Sequence, residues 1–135
     1  MAFIDWSDTL SVNVNVIDAE HKKLLAMINE LHEAMVTRKG KSLQQKIVND
    51  MVDYAASHFA TEENYMRRFN FPGYATHKTE HDQFTEKARE LKTRGEKTGF
   101  VLSLEILNFL RDWLRNHILK TDKNYSQFFN EHGLY

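Results

Sequence analysis

Apolar residues return every three or four positions along four stretches of this chain, the period of a helix that buries one face. The first stretch follows Asp18, a candidate N-cap, and runs through Leu24, Leu25, Ile28, Leu31 and Met35 to Arg38, Lys39 and Gly40. Basic residues followed by glycine are a usual way to close a helix. The second opens on Ser42-Leu43-Gln44-Gln45, a capping-box pattern, and its stripe is Ile47, Met51, Tyr54, Ala55, His58, Glu62, Tyr65 and Phe69. Phe71-Pro72-Gly73 then turns the chain, and Thr76 is a candidate cap for a third stripe of Tyr74, His77, His81, Phe84, Ala88 and Leu91. Gly95 and Gly99 bracket the next loop. The fourth stripe starts at Val101 or Leu102 and continues through Ile106, Leu107, Leu110, Trp113, Leu114 and His117.

These patterns predict helices over about 18–38, 42–69, 75–94 and 100–120. Residues 1–17 show little helical period, and Ser11 to Val16 alternates apolar and polar like an extended segment, so an N-terminal arm is expected. Asn124 to Tyr135 reads as a short aromatic tail packed across one end. Four amphipathic helices with short loops, and a single proline at a turn, predict an all-α fold: one domain over 1–135, an antiparallel up-down-up-down four-helix bundle.

Composition narrows the chemistry. With 41% hydrophobic and 27% charged residues the chain suits a soluble globular protein. Eighteen basic against nineteen acidic residues leave a net charge of −1, which gives no basic surface for nucleic acid or an anionic membrane. There is no cysteine, so zinc-thiolate and iron–sulfur sites are excluded, and histidine and carboxylate remain as the strong metal ligands. The first residues lack the pattern of a signal peptide, and the most apolar segment, Phe100 to Leu114, is interrupted by Ser103, Glu105, Asn108, Arg111 and Asp112. A cytoplasmic location is expected.

The stripes also carry what a core normally rejects. His21, His58, Glu62, His77, His81 and His117 all fall on inward faces. His58 and Glu62, like His77 and His81, stand four apart, the spacing that stacks two side chains on one helix face. Asp122 is five residues beyond His117, about 140° round an ideal helix, and reaches the same centre only if the helix ends or distorts between them. One or two such residues are explained by satisfied core histidines or buried ion pairs. Seven from four helices, without a lysine or arginine on the same stripes, point instead to a metal centre. Five imidazoles and two bridging carboxylates offer five nitrogens and four oxygens, too many for one octahedral ion. With a shared solvent oxygen they come one donor short of filling two, which leaves one position for a ligand. His32 lies about 16 Å along the axis from His21, too far to share the site, and is either a bundle-end or a surface residue. His132, beside Gly133, reads as solvated.

In this arrangement the chain resembles the hemerythrin family, in particular its short bacterial members, the bacteriohemerythrins. The resemblance spans nearly the whole length, through Trp6, Ile17-Asp18-Ala19-Glu20-His21, His58-x3-Glu62, His77-x3-His81 and Trp113-Leu114-Arg115-Asn116-His117-x4-Asp122. It implies two non-heme iron ions bridged by Glu62, Asp122 and an oxo or hydroxo group. By the same resemblance His77, His81 and His117 would bind one iron, and His21 and His58 the other, which would carry the open position. It implies an O2 pocket lined by Leu24, Phe59, Trp113 and Leu114, with Leu114 as an apolar lid, and a tyrosine, Tyr125, near the centre. Trp113 and Tyr125 also read as plain core packing. Two positions depart from the usual family pattern: Asn13 stands where glycine is common, and Glu20 where glutamine is. Asn tolerates a left-handed backbone. Glu20 is either a hydrogen-bond acceptor for a ligand imidazole or a solvated first-turn acid.

The function implied is reversible O2 binding, for storage, transport or delivery, with azide as a competing small anion. Oxygen-activating di-iron bundles use Glu-x-x-His motifs, and none occurs here. No free nucleophile or acid–base group stands beside the site, so an enzyme is not expected. The other readings are an O2 or redox sensor working through the N-terminal arm or a partner surface, and a peroxidase, nitric-oxide or iron-handling protein.

Overall fold

The computed structural model describes residues 3–37, 41–98 and 104–135, with the side chains at 41–42, 91, 94–98 and 104–106 set aside. Its elements are α1 (Asn15–Val36), α2 (Lys41–Arg68), α3 (Tyr74–Thr98), α4 (Leu104–Asn116), a π-helical turn (His117–Asp122) and α5 (Lys123–Glu131). The fold is all-α, a four-helix bundle in which α1 packs on α2, α2 on α3 and α1 on α4. Among the described residues no helix is long and apolar enough to cross a membrane.

The stripes account for the interior. Leu24, Leu25, Ile28 and Leu31 of α1 are buried against Ile47, Met51 and Ala55 of α2, Phe84 and Ala88 of α3, and Leu107, Leu110 and Leu114 of α4. Each buried leucine contributes about 1.5–3 kcal/mol relative to an exposed one. The bundle therefore holds together on its own apolar faces.

Helix boundaries differ from those the sequence suggested, each for a local reason. Asp18 does not cap α1, which starts three residues earlier at Asn15. Its carboxylate instead accepts the Val12 N–H at 2.8 Å and the Ser11 hydroxyl at 2.6 Å, tying the arm to the positive end of the helix. The arm is not a strand: it holds a 3-10 turn at Asp8–Leu10, and Asn13 is left-handed with φ 58°. The alternation marks burial, with Val12 and Val14 inside and Asn13 outside. The arm is fastened further by Asn29, whose side chain pairs with both backbone groups of Ile4 at 2.8 Å, and by Ser126, which donates to the Val12 carbonyl at 2.5 Å.

Ser42 lies inside α2, which is already helical at Lys41, and Arg38, Lys39 and Gly40 fall outside the described residues. The far end of α2 closes on Asn70 at φ 56°, with Phe71 N–H on Met66 O at 2.8 Å and Asn70 N–H on Arg67 O at 3.2 Å. That is the two-bond pattern of a left-handed helix stop. Gly73 follows because a Cβ there would meet the Phe71 ring at 2.8 Å. Thr76 sits in the first turn of α3 rather than before it, and α3 runs on through Gly95 to Thr98. One glycine costs a helix about 1 kcal/mol, which a long packed helix absorbs. Gly99, Val101 and Leu102 fall outside the described residues.

The expected tail is also helical. α5 buries Tyr125 and Phe129 completely and packs Phe129 against the rings of Tyr65, Phe69 and Phe71. This aromatic layer closes one end of the bundle. His32 is partly buried and stacks on Phe3 with ring centroids 4.4 Å apart, while His132 is exposed with Nδ1 bonded to the Phe128 carbonyl at 2.8 Å.

Candidate metal centre

His21, His58, Glu62, His77, His81, His117 and Asp122 are all buried, none more than 3% exposed, and they meet in the middle of the bundle. α1 brings His21, α2 brings His58 and Glu62, and α3 brings His77 and His81. His117 and Asp122 are the first and last residues of the π-helical turn. A π-helix bonds i to i+5, so residues five apart share a face that an α-helix would separate. The distortion that the spacing demanded is present.

The imidazoles turn the same atom inward. Nε2 of His21, His77 and His117 lies 3.1, 2.8 and 3.0 Å from the Asp122 carboxylate. Nε2 of His77 and His81 lies 3.2 and 3.7 Å from Glu62, and His58 Nε2 contacts Glu62 more closely still. Despite these approaches, both Asp122 oxygens lack a hydrogen bond of usable geometry. His81 and His117 set Nε2 against Nε2 at 3.1 Å, where one proton at most fits. Among the described residues neither Glu62 nor Asp122 is paired with a lysine or arginine. Convergent lone pairs and orphaned carboxylate oxygens are what a bound cation satisfies, and the donor set fits metal ions. The ligand atoms form two groups, each within 4.8 Å: Glu62, His77, His81, His117 and Asp122 in one, and His21, His58, Glu62 and Asp122 in the other. The two carboxylates belong to both.

Electrostatics say the same. Burial favours neutral imidazoles, yet Glu62 and Glu20 outweigh it at His58 and push it up to about 10. Asp122 and Glu62 do likewise at His77, up to about 9. His81 goes the other way, to about 3, through burial with His77 and His117 adding to it. Burial would raise Glu62 and Asp122, but the surrounding imidazoles hold both below the usual carboxylate range. Without metal, protons must supply the positive charge that the two carboxylates need.

Aromatic rings wall the centre. Phe59 stacks on His81 at 4.0 Å and Trp113 on His117 at 4.6 Å, so both pack on the three-histidine group. Leu24 and Leu114 are buried one turn from His21 and His117 respectively. Tyr125 stacks on His77 at 5.5 Å with its hydroxyl buried and unpartnered. Burial, with Asp122 and Glu62 nearby, pushes that phenol well above 10. Glu20 is a hydrogen-bond acceptor and not a solvated acid: its carboxylate meets His58 Nδ1 at 2.8 Å.

Residues 12–129 match the family described as the hemerythrin HHE cation binding domain. The chain belongs to that family. A bacteriohemerythrin of Stenotrophomonas maltophilia is 33% identical over 132 residues, covering 98% of this chain and 85% of that protein. A bacteriohemerythrin of Methylococcus capsulatus is 31% identical over 126 residues, covering 93% of this chain and 95% of that protein. A crystal structure of wild-type hemerythrin superposes with a TM-score of 0.89 at 31% identity, over 93% of this chain and 97% of that one.

Within this hemerythrin fold the sequence reading passed over two acids. Glu63 meets His81 Nδ1 at 2.9 Å, and Glu80 meets His117 Nδ1 at 3.4 Å while accepting the Thr121 hydroxyl at 3.0 Å. Both lie off the apolar stripes. The available signal was adjacency, since each flanks a cluster residue, Glu62 or His81, in the sequence.

Proposed function

We propose that the chain binds O2 reversibly at a pair of non-heme irons. His77, His81 and His117 would hold one ion, His21 and His58 the other, and Glu62 and Asp122 would bridge them. The supporting observation is the pair of overlapping donor groups that share two fully buried carboxylates. Two ferrous ions would supply the electrons that retain O2. The His21 and His58 group has one imidazole fewer, which leaves room for O2 or for a small anion such as azide. Phe59, Trp113 and the buried Leu114 keep bulk water and its protons away, which favours release of O2 unchanged. Five neutral imidazoles against two carboxylates favour the ferrous pair, so the reading is a carrier or store rather than an enzyme.

The test is an anaerobic ferrous sample exposed to O2 and then to vacuum, followed by visible absorption. A band that appears and vanishes over repeated cycles supports the proposal. Irreversible conversion to the ferric form in the first cycle, or turnover with peroxide or nitric oxide, would replace it with an enzymatic role.

A further inference from the structure

One relationship repeats around the bundle. Glu20 precedes His21 on α1 and meets Nδ1 of His58 on α2 at 2.8 Å. Glu63 follows Glu62 on α2 and meets Nδ1 of His81 on α3 at 2.9 Å. Glu80 precedes His81 on α3 and meets Nδ1 of His117 on the π-helical turn at 3.4 Å, steadied by the Thr121 hydroxyl at 3.0 Å to each of its oxygens. Each acid neighbours a cluster residue on its own helix and serves an imidazole on the next. A residue adjacent to an inward one lies about 100° round the helix, at the seam with the neighbouring helix, which is why the pattern can repeat.

The consequence lies in the other ring nitrogen. An ionised carboxylate only accepts, so Nδ1 must carry a proton, and it is Nε2 that gives up its own proton and turns a lone pair to the centre when metal binds. The series does not close, because His21 Nδ1 is buried without a partner. Glu63 is the most enclosed of the three acids, its side chain 13% exposed against 20% for Glu20 and 36% for Glu80. Its charge is therefore the least screened by solvent, with the Lys78 ammonium 4.0 Å from its outer oxygen as its counter-charge.

We infer that Glu63 and Glu80, together with Glu20, are positioning residues that fix the metal-facing tautomer of His81, His117 and His58, and that the Glu63 charge biases the iron pair toward the ferric state. The inference rests on the iron reading above. Hydrogen bonding and charge separate experimentally. Glutamine keeps an acceptor for Nδ1–H and loses the charge, whereas alanine loses both.

The experiment compares wild type with Glu63→Gln, Glu63→Ala, Glu80→Gln and Asp50→Asn. It measures iron retention against a chelator and the mediated midpoint potential of the iron pair. Asp50 is the control, an acid 51% exposed and paired with Lys46 at 2.7 Å, twelve residues before Glu62 on α2 and so about 18 Å along the helix from the cluster. Glu63→Ala should lose iron affinity by roughly 10–100-fold, and Glu63→Gln by less. Both should raise the potential, Glu80→Gln should raise it less, and Asp50→Asn should change neither quantity. Wild-type affinity and potential in both Glu63 variants, or an equal shift in Asp50→Asn, would overturn the inference. Should the variants not fold, long-range 1H–15N spectra of zinc-loaded wild type must show Nδ1–H with metal on Nε2 for His58, His81 and His117. The opposite tautomer there overturns it too. If wild type takes up no iron the preceding proposal fails, and the zinc spectra still decide the tautomers.

Discussion

Asp122 faces the same centre as His117 because the six residues from one to the other form a π-helical turn. The turn also orients α5. Without the extra residue, α5 would be rotated by about 100° relative to α4, and Tyr125 and Phe129 would leave the aromatic layer where both are fully buried. One local distortion thus positions a candidate bridging carboxylate and closes an end of the bundle.

Metal removal is the first test of the centre. Seven inward donors exceed one octahedral shell, so iron-reconstituted protein should contain close to two irons per chain by elemental analysis. A reproducible value near one would remove the dinuclear reading. The metal-free form should also melt at a lower temperature, because two carboxylates and five imidazoles then face one another with protons as the only cations. Coincident melting curves would mean that metal does not engage the buried cluster.

The metal-free form should show its own pH dependence. His58 and His77 are raised to about 10 and about 9 in the fold, so their stabilisation is complete below their unfolded value of about 6.5 and is lost as pH climbs through 9 to 10. Glu62 and Asp122 are depressed, so their stabilisation is present above about 4 and is lost as pH falls below it. His81, held down to about 3, loses stability as pH falls below its unfolded value of about 6.5, so melting temperature without metal should peak near pH 6.5. Metal competes with those protons, so the gap between metal-bound and metal-free melting should widen as pH rises from 6.5. Circular dichroism melts across this range check both, and a metal-free curve that is flat or rising above pH 6.5 would contradict them.

The bundle was legible because its apolar faces are long and periodic, and the unusual residues on them were legible because a core rarely takes His58, Glu62, His77 or His81 without reason. Asp122 could be placed only conditionally, since whether a helix admits a π-helical turn depends on packing beyond it, here the burial of Tyr125 and Phe129. The helix starts were misplaced for a related reason. Asp18 and Thr76 have capping chemistry, but Asp18 is engaged by the arm and α3 begins straight out of the Gly73 turn. Glu63 and Glu80 escaped notice because each serves a histidine on another helix, a relationship that no spacing along one strand of sequence reveals.

The two donor groups should respond differently to loss of one ligand. Removing His58 leaves its group a single imidazole, His21, beside the shared carboxylates, whereas removing His77 leaves His81 and His117. His58→Ala should therefore retain about one iron per chain and fail to bind azide in the ferric state, while His77→Ala should hold its metal longer against a chelator. Simultaneous loss of both irons from His58→Ala would show that the bridging carboxylates dominate. Equal loss from both variants would remove the proposed asymmetry.

The last expectation concerns how bound O2 is kept from leaving as a reduced product. Leu114 is 4% exposed and lies three residues before His117, on the same side of the helix and one turn along. Trp113, its neighbour, is already committed to stacking on His117 and Phe84, at 4.6 and 4.3 Å, so it cannot also swing to cover a gap. Truncating Leu114 should open a cavity beside the histidines that Trp113 does not refill. Water entering there would bring protons, and protons let oxygen depart after taking electrons from the iron. Leu114→Ala should accordingly speed autoxidation to the ferric form and cost about 2–4 kcal/mol of stability for the cavity. The checks are the decay rate of the oxygenated absorption band at fixed pH and a denaturant melt of the same samples. If stability falls as expected while the decay rate is unchanged, Leu114 is core packing alone, and exclusion of water must come from Phe59 and Trp113, whose rings lie directly on His81 and His117.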